Sequence, residues 1–264
     1  NFTYFSALNN SSLSCIDVDD PTWSANNWTV ISTFTSFSLN CNAIYGCTDS
    51  TALNFNPLAD TDDGSCTYQM TYVPDDNFEA YLEANGMGNG IANDDSVTTA
   101  NINSVTGLYI AFQSISDLTG IEDFTALLVL DCKNNQISTL DFSNNLALTT
   151  LYCNGNNITS IDVSNNTNLT TLYCYVNQIT TLDVSNNTNL TDLRCSYNAL
   201  TTLNVSNGNN VNMILLANGN NNLLCIEVDD VSWSTSNWTV AGTNIDAWMS
   251  FSTDCSTAFG CTDN

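Results

Sequence analysis

Eleven cysteines are the residues of this chain best suited to chemistry, and their spacing sorts them into two classes. Cys132, Cys153, Cys174 and Cys195 recur every 21 residues. A nucleophilic thiol or hydroxyl needs a base beside it, but the chain has no His. A zinc centre needs close-set Cys or His ligands, but no CxxC occurs. The four periodic cysteines fill an inward slot of a repeated apolar pattern, which predicts buried free thiols acting as small hydrophobes. Cys15, Cys41, Cys47, Cys66, Cys225, Cys255 and Cys261 lie outside the pattern. They are expected to pair as Cys15–Cys41, Cys47–Cys66 and Cys225–Cys255, leaving Cys261 without a partner. Such bridges belong to an oxidising compartment.

Carboxylates are the second candidates. Asp60, Asp62 and Asp63 precede Gly64 in DTDDGS, inside the Cys47–Cys66 loop. Clustered carboxylates around a glycine suit a hard cation, so Ca2+ is the candidate cofactor and these three are its candidate ligands. The loop is shorter than an EF-hand and lacks its distal Glu, so an acidic turn is the competing reading. Asp19–Asp20 recurs as Asp229–Asp230 beside paired tryptophans, which marks those acids as structural. No catalytic constellation forms, and no enzymatic activity is expected.

The elements that hold these residues follow from two periods. The phrase LTTLYCNGNNITSIDVSNNTN from Leu148 returns as LTTLYCYVNQITTLDVSNNTN from Leu169. A fixed period of this length signals a solenoid, in which each repeat packs only on its neighbours. In each repeat a short parallel strand points Leu151 and Cys153 inward and Thr150, Tyr152 and Asn154 outward. Asn135, Asn156, Asn177 and Asn198 then satisfy backbone groups where the chain leaves the strand, with Gln113 in that place on the first rung. The polar run DVSNNTN suits tight turns on the far wall. Val163, Val184 and Val205 face inward. A longer period overlies this one: SCIDVDDPTWSANNWTV from Ser14 returns as LCIEVDDVSWSTSNWTV from Leu224, and GCTDS at Gly46 as GCTDN at Gly260. The chain reads as one module, the tail of a preceding one and the start of the next.

The phrase resembles the leucine-rich repeat LxxLxLxxNxL, with Cys in its third apolar slot. With GCTDSTALNFNPLADTDDGSC and VPDDNFEAYLEANG, it resembles secreted, modular leucine-rich-repeat surface proteins of Bacteroidetes-type bacteria, with internalin-like repeats. The expected fold is a leucine-rich-repeat solenoid of short parallel strands and few helices, with N- and C-terminal caps and a small disulfide-closed linker. Residues 1–41 are read as the C-terminal cap of a preceding module and 42–68 as the disulfide unit. An N-terminal cap follows at 69–104, its helix opened by Pro74-Asp75-Asp76 and closed at Asn85-Gly86. The solenoid of 21- to 22-residue repeats is 105–222, its cap 223–255, and 256–264 begins the next unit. Asn85–Asp95 looks like an eroded calcium loop of related caps. The resemblance implies export and display at the bacterial cell surface.

Charge narrows the partners. Two basic residues, Lys133 and Arg194, stand against 27 acidic ones, a formal charge of −25. That excludes nucleic acid and anionic membrane surfaces, which need basic patches. No apolar run reaches the roughly 18 residues of a membrane span. The outward strand face carries Tyr109, Asp131, Lys133, Tyr152, Tyr173, Tyr175, Arg194 and Leu215, a composition suited to a glycan or peptide on a concave surface. Ordinary strand-surface residues are the alternative reading. N-x-S/T sequons at Asn157, Asn165, Asn168, Asn186 and Asn189 are candidate glycan sites. Ser50 and Ser96, in Asp-Ser-Thr and Asp-Ser-Val, resemble O-glycan acceptors of some bacterial surface proteins. The function expected is a structural segment of an extracellular tandem-repeat fibre or stalk, whose partners are neighbouring copies or modules of itself. The alternative is an adhesin recognising a glycan or surface protein on its concave face.

Overall fold

The computed structural model describes residues 5–8, 13, 15–28, 30–31 and 36–258, which fall in two units, Asn1–Tyr68 and Gln69–Asn264. Cys261 lies outside the described residues.

In the second unit the repeated phrase stacks into a six-stranded parallel sheet. Its strands are Gly107–Tyr109, Val129–Asp131, Thr150–Tyr152, Thr171–Tyr173, Asp192–Arg194 and Ile214–Leu216. Leu108, Leu130, Leu151, Leu172, Leu193 and Leu215 pair in register along the stack, and all are buried. Two residues further on, Ile110, the four periodic cysteines and Ala217 form a second buried row. Each fully buried Leu contributes roughly 1.5–3 kcal/mol. Leu215 is therefore a core residue, contrary to its expected outward place. Asp192–Arg194 aligns with Ile214–Leu216 at a spacing of 22 residues, Arg194 standing opposite Leu216. One added residue moves a side chain to the other face of a strand.

The far wall is more regular than a run of turns. Thr181–Asp183, Thr202–Asn204, Cys225–Glu227 and Ser250–Ser252 form a second parallel sheet that carries the solenoid into its cap. β-branched threonines alternate here with inward Leu182 and Leu203, a pattern that favours strand. The DVSNN runs turn only after these strands.

Asparagine amides tie each rung to the one before. Asn156 Nδ2 donates to the carbonyls of Cys132 (3.1 Å) and Cys153 (3.0 Å), and its Oδ1 accepts from Ile137 N (3.1 Å). Asn135, Asn177, Asn198 and Asn220 repeat the arrangement. A second amide row sits on the opposite side. Asn145, Asn166 and Asn187, each at most 1% exposed, donate to carbonyls of the preceding rung. This row hides within the polar DVSNN run, which reads as solvent-facing.

Both ends of the stack are closed. Helix Asp76–Ala84 starts at Asp75, whose Oδ1 accepts from Asn77 N and Phe78 N. Its Oδ2 reaches the first rung at Ser116 N (2.8 Å), Ser116 Oγ (2.7 Å) and Asp117 N (3.2 Å). These donors hold the Asp75 carboxyl below its usual value against the opposing cost of burial. Phe78 and Leu82 cover the first rungs, Phe78 stacked 6.3 Å from Phe124. At the other end Trp238, 3% exposed, donates its indole N–H to Met213 O. Cys225–Cys255 locks that cap, and Cys15–Cys41 and Cys47–Cys66 bridge the first unit.

Replacing Asn156 by Ala leaves the buried Ile137 N–H without its acceptor and takes one of two amide donors from the Cys132 and Cys153 carbonyls, which keep Asn135 and Asn177. We expect a loss of about 2 kcal/mol, since a buried donor left unpaired costs roughly 1–3 kcal/mol, measured by urea unfolding. A loss below about 0.5 kcal/mol, the range of neutral surface changes, contradicts a structural role for the ladder.

Candidate functional site

The outward row of the six-stranded sheet gathers most of the expected contact residues. Tyr109 stands 61% exposed at one end. Tyr152 and Tyr173, opposite each other in register, have ring centroids 4.8 Å apart, and Tyr173 and Tyr175 6.4 Å apart. Arg194 Cζ lies 4.4 Å from the Tyr173 centroid, within cation–π range. The adjoining rung supplies Ile214, 53% exposed, and Leu216 in place of Leu215.

Neither basic side chain is available as a lone positive charge. Lys133 Nζ lies 2.6 Å from Asp131 Oδ2, two residues away on the same strand face. Arg194 binds Asp192 through Nε (3.0 Å) and Nη2 (3.1 Å). Asp192 Oδ2 also accepts from Tyr173 Oη at 2.7 Å. Burial first, and this carboxylate second, push the Tyr173 phenol up to about 12. The face is thus a tyrosine cluster braced by two internal ion pairs. Such amphipathic rings contact a partner at low entropy cost.

A row absent from the sequence reading borders this face. Phe112, Asn134, Gly155, Val176, Tyr197 and Gly219, one per rung, all have left-handed backbone, with φ between 54° and 77°. A Cβ on Gly155 would meet Asn134 Oδ1 at 2.3 Å, so a side chain there would displace the Asn134 amide. Val176 pays for this geometry as a β-branched residue. Phe112, Val176 and Tyr197 are 69%, 51% and 60% exposed, and add apolar surface to the rim. Asn134 and Gly155, two residues after the first two periodic cysteines, are its only sequence signal there.

The four periodic thiols are free and fully buried. Burial raises all four, Cys174 to about 12, so they are thiols rather than nucleophilic thiolates.

The acidic candidates are scattered. Asp60 Oδ1 accepts from Ile44 N, and Asp63 Oδ1 from Ser65 N. Among the described residues, three carboxylates converge within 4.8 Å at Asp76, Glu79 and Asp95, not at Asp60, Asp62 and Asp63. Glu79, 1% exposed, accepts from Asp94 N and Asp95 N, so the buried member is satisfied by the loop itself. Asn157, Asn168 and Asn189 donate their amides to the preceding rung, whereas Asn165 and Asn186 are exposed in the turns. Ser50 is exposed, and Ser96 Oγ accepts from Asn89.

Residues 147–187 match the leucine-rich-repeat family, in two copies. No curated protein sequence matches the chain. Among solved structures, the chain is 34% identical to the functional domain of InlJ from Listeria monocytogenes, which includes a cysteine ladder, over 61% of this chain and 38% of that one (TM-score 0.49). It is 26% identical to the internalin InlF of the same organism, over 61% and 53% respectively (TM-score 0.43). A leucine-rich-repeat protein of Leptospira interrogans is 20% identical, over 55% and 38% (TM-score 0.41). The chain thus spans from about a third to about half of these proteins.

Since Asp192 helps to hold the Tyr173 proton, Asp192→Asn should lower the Tyr173 titration midpoint from its value near 12. Carbon-13 NMR of labelled tyrosine measures it. An unchanged midpoint contradicts the assigned hydrogen bond.

Proposed function

We propose that this chain is a segment of an extracellular scaffold, in which leucine-rich-repeat modules follow one another head to tail along a surface fibre or stalk. The observation that carries this reading is a cap built twice in the same detail. Asp20 Oδ1 accepts from Trp23 N at 2.8 Å, and Asp230 Oδ1 from Trp233 N at 3.0 Å. Trp23 and Trp28 meet edge-on at 5.6 Å, and Trp233 and Trp238 at 5.5 Å. Each cap is tied by a disulfide to a parallel strand pair. Three disulfides and a charge of −25 suit an oxidising, salty exterior. Solenoids present extended surfaces that suit the binding of a partner.

The intact mass of the native polypeptide, with electron micrographs of the native material, tests this reading. We expect several modules per chain and beaded fibres. A native chain holding a single solenoid contradicts it.

A second reading is favoured by the clustered rings of Tyr152, Tyr173 and Tyr175: the concave face binds a surface protein or glycan. Replacing all three by Ala should abolish adhesion of coated beads to target cells while leaving the melting temperature within a few degrees. Undiminished adhesion removes the face from the account.

A further inference from the structure

The two caps share their internal geometry but differ in what covers them. Cys225–Glu227 has a strand on each side. Ser250–Ser252 lies on one edge, and Thr202–Asn204, from the last full rung of the solenoid, on the other. Cys15–Asp17, 210 residues earlier, pairs with Ser36–Ser38 on one edge, and its other edge has no strand among the described residues. Leu223, Ile226 and Val228 are at most 1% exposed. Their counterparts Leu13, Ile16 and Val18 are each only half-buried. A groove of about 630 Å³ opens beside Ile16 and Val18, lined also by Phe5, Trp23 and Trp28 and by the carboxylates of Asp17, Asp19 and Asp20. Trp28 Nε1 is buried without an acceptor, whereas Trp238 Nε1 donates to Met213 O. The position matching Met213 is Thr3, outside the described residues.

An open strand edge beside uncovered aliphatic side chains is a site for a further strand. The second cap shows which strand its geometry takes. We propose that the edge of Cys15–Asp17 that carries no strand among the described residues, and its groove, seat the last full rung of a leucine-rich-repeat solenoid, carried upstream on the same polypeptide. This deepens the tandem-module reading and rests on it. The seated strand is of the Thr-Leu-Asn or Thr-Leu-Asp type. Its Leu stands opposite Ile16 as Leu203 stands opposite Ile226, and its polar third residue opposite Asp17 as Asn204 stands opposite Glu227. The added rung buries Leu13, Ile16 and Val18 as their counterparts are buried.

The test fuses a copy of residues 69–212 ahead of Thr3 of the full chain, so that Thr3 follows the copy as Met213 follows Asn212. Hydrogen exchange and tryptophan emission are then read at the first cap. We expect the Cys15–Asp17 amides to become as protected as those of Cys225–Glu227, and the Trp23 and Trp28 emission to shift to the blue. Ile16→Lys should abolish both gains, yet leave the melting of residues 69–264 in the unfused chain unchanged. Exchange and emission that do not move overturn the seat. So does a concentration-dependent dimer of the unfused chain that protects Cys15–Asp17, since the occupant is then a second copy. As a second variant, a copy of residues 13–41 replaces 223–255 in the full chain. It should melt within a few degrees of the parent, whereas melting like a chain lacking 223–255 overturns the proposal. A single solenoid in the native chain would sink the tandem reading. A failed seat with several modules present would sink only this inference.

Discussion

The stack depends on asparagine amides that no single rung can satisfy. Each ladder Asn donates to a carbonyl on its own rung and one on the rung before, and accepts an N–H from that earlier rung. Leaving those groups buried and unpaired would cost roughly 1–3 kcal/mol each, so a rung is tolerable only with neighbours. A second row at Asn145, Asn166 and Asn187, on the other side, donates only to carbonyls of the preceding rung. Leucine and cysteine rows then fill the space between two polar spines. Open ends must be closed, as helix Asp76–Ala84 closes one and the Trp238 cap the other.

That constraint also explains why the outer strand face is free to vary. The amides and inward rows hold the backbone, so outward positions carry no structural duty. Here they carry tyrosines, with both basic side chains locked to Asp131 and Asp192. The ion pairs add little stability at such exposure. Their effect is to fix a ring cluster in place and to leave the face without a strong field in a chain of charge −25.

Features that repeat at a fixed interval in a residue type unlike their surroundings were legible in the sequence. The cysteine row, the first amide row and the cysteines of the two caps are of this kind, whereas the Asp75 helix start was legible from its local Pro-Asp-Asp signature. The second amide row was not, because a buried Asn inside SNNTN looks like its exposed neighbours. Leu215 was placed on the wrong face because a 21-residue step was carried into a 22-residue rung, which reverses a strand. The left-handed rim was missed because backbone conformation leaves its mark in residue type only where glycine or Asn occupies it, as at Gly155 and Asn134. The tyrosine row was legible as residues, but its ion pairs and ring stacking depend on register and needed the fold.

Rungs exist only as a stack bonded through the amide ladder. Native-state hydrogen exchange of the Ile137, Ile158 and Ile179 amides, which donate to Asn156, Asn177 and Asn198, tests it most directly. All three should exchange as one slow class, with the free energy of global unfolding. Exchange of each at its own rate, well below the global value, would contradict it.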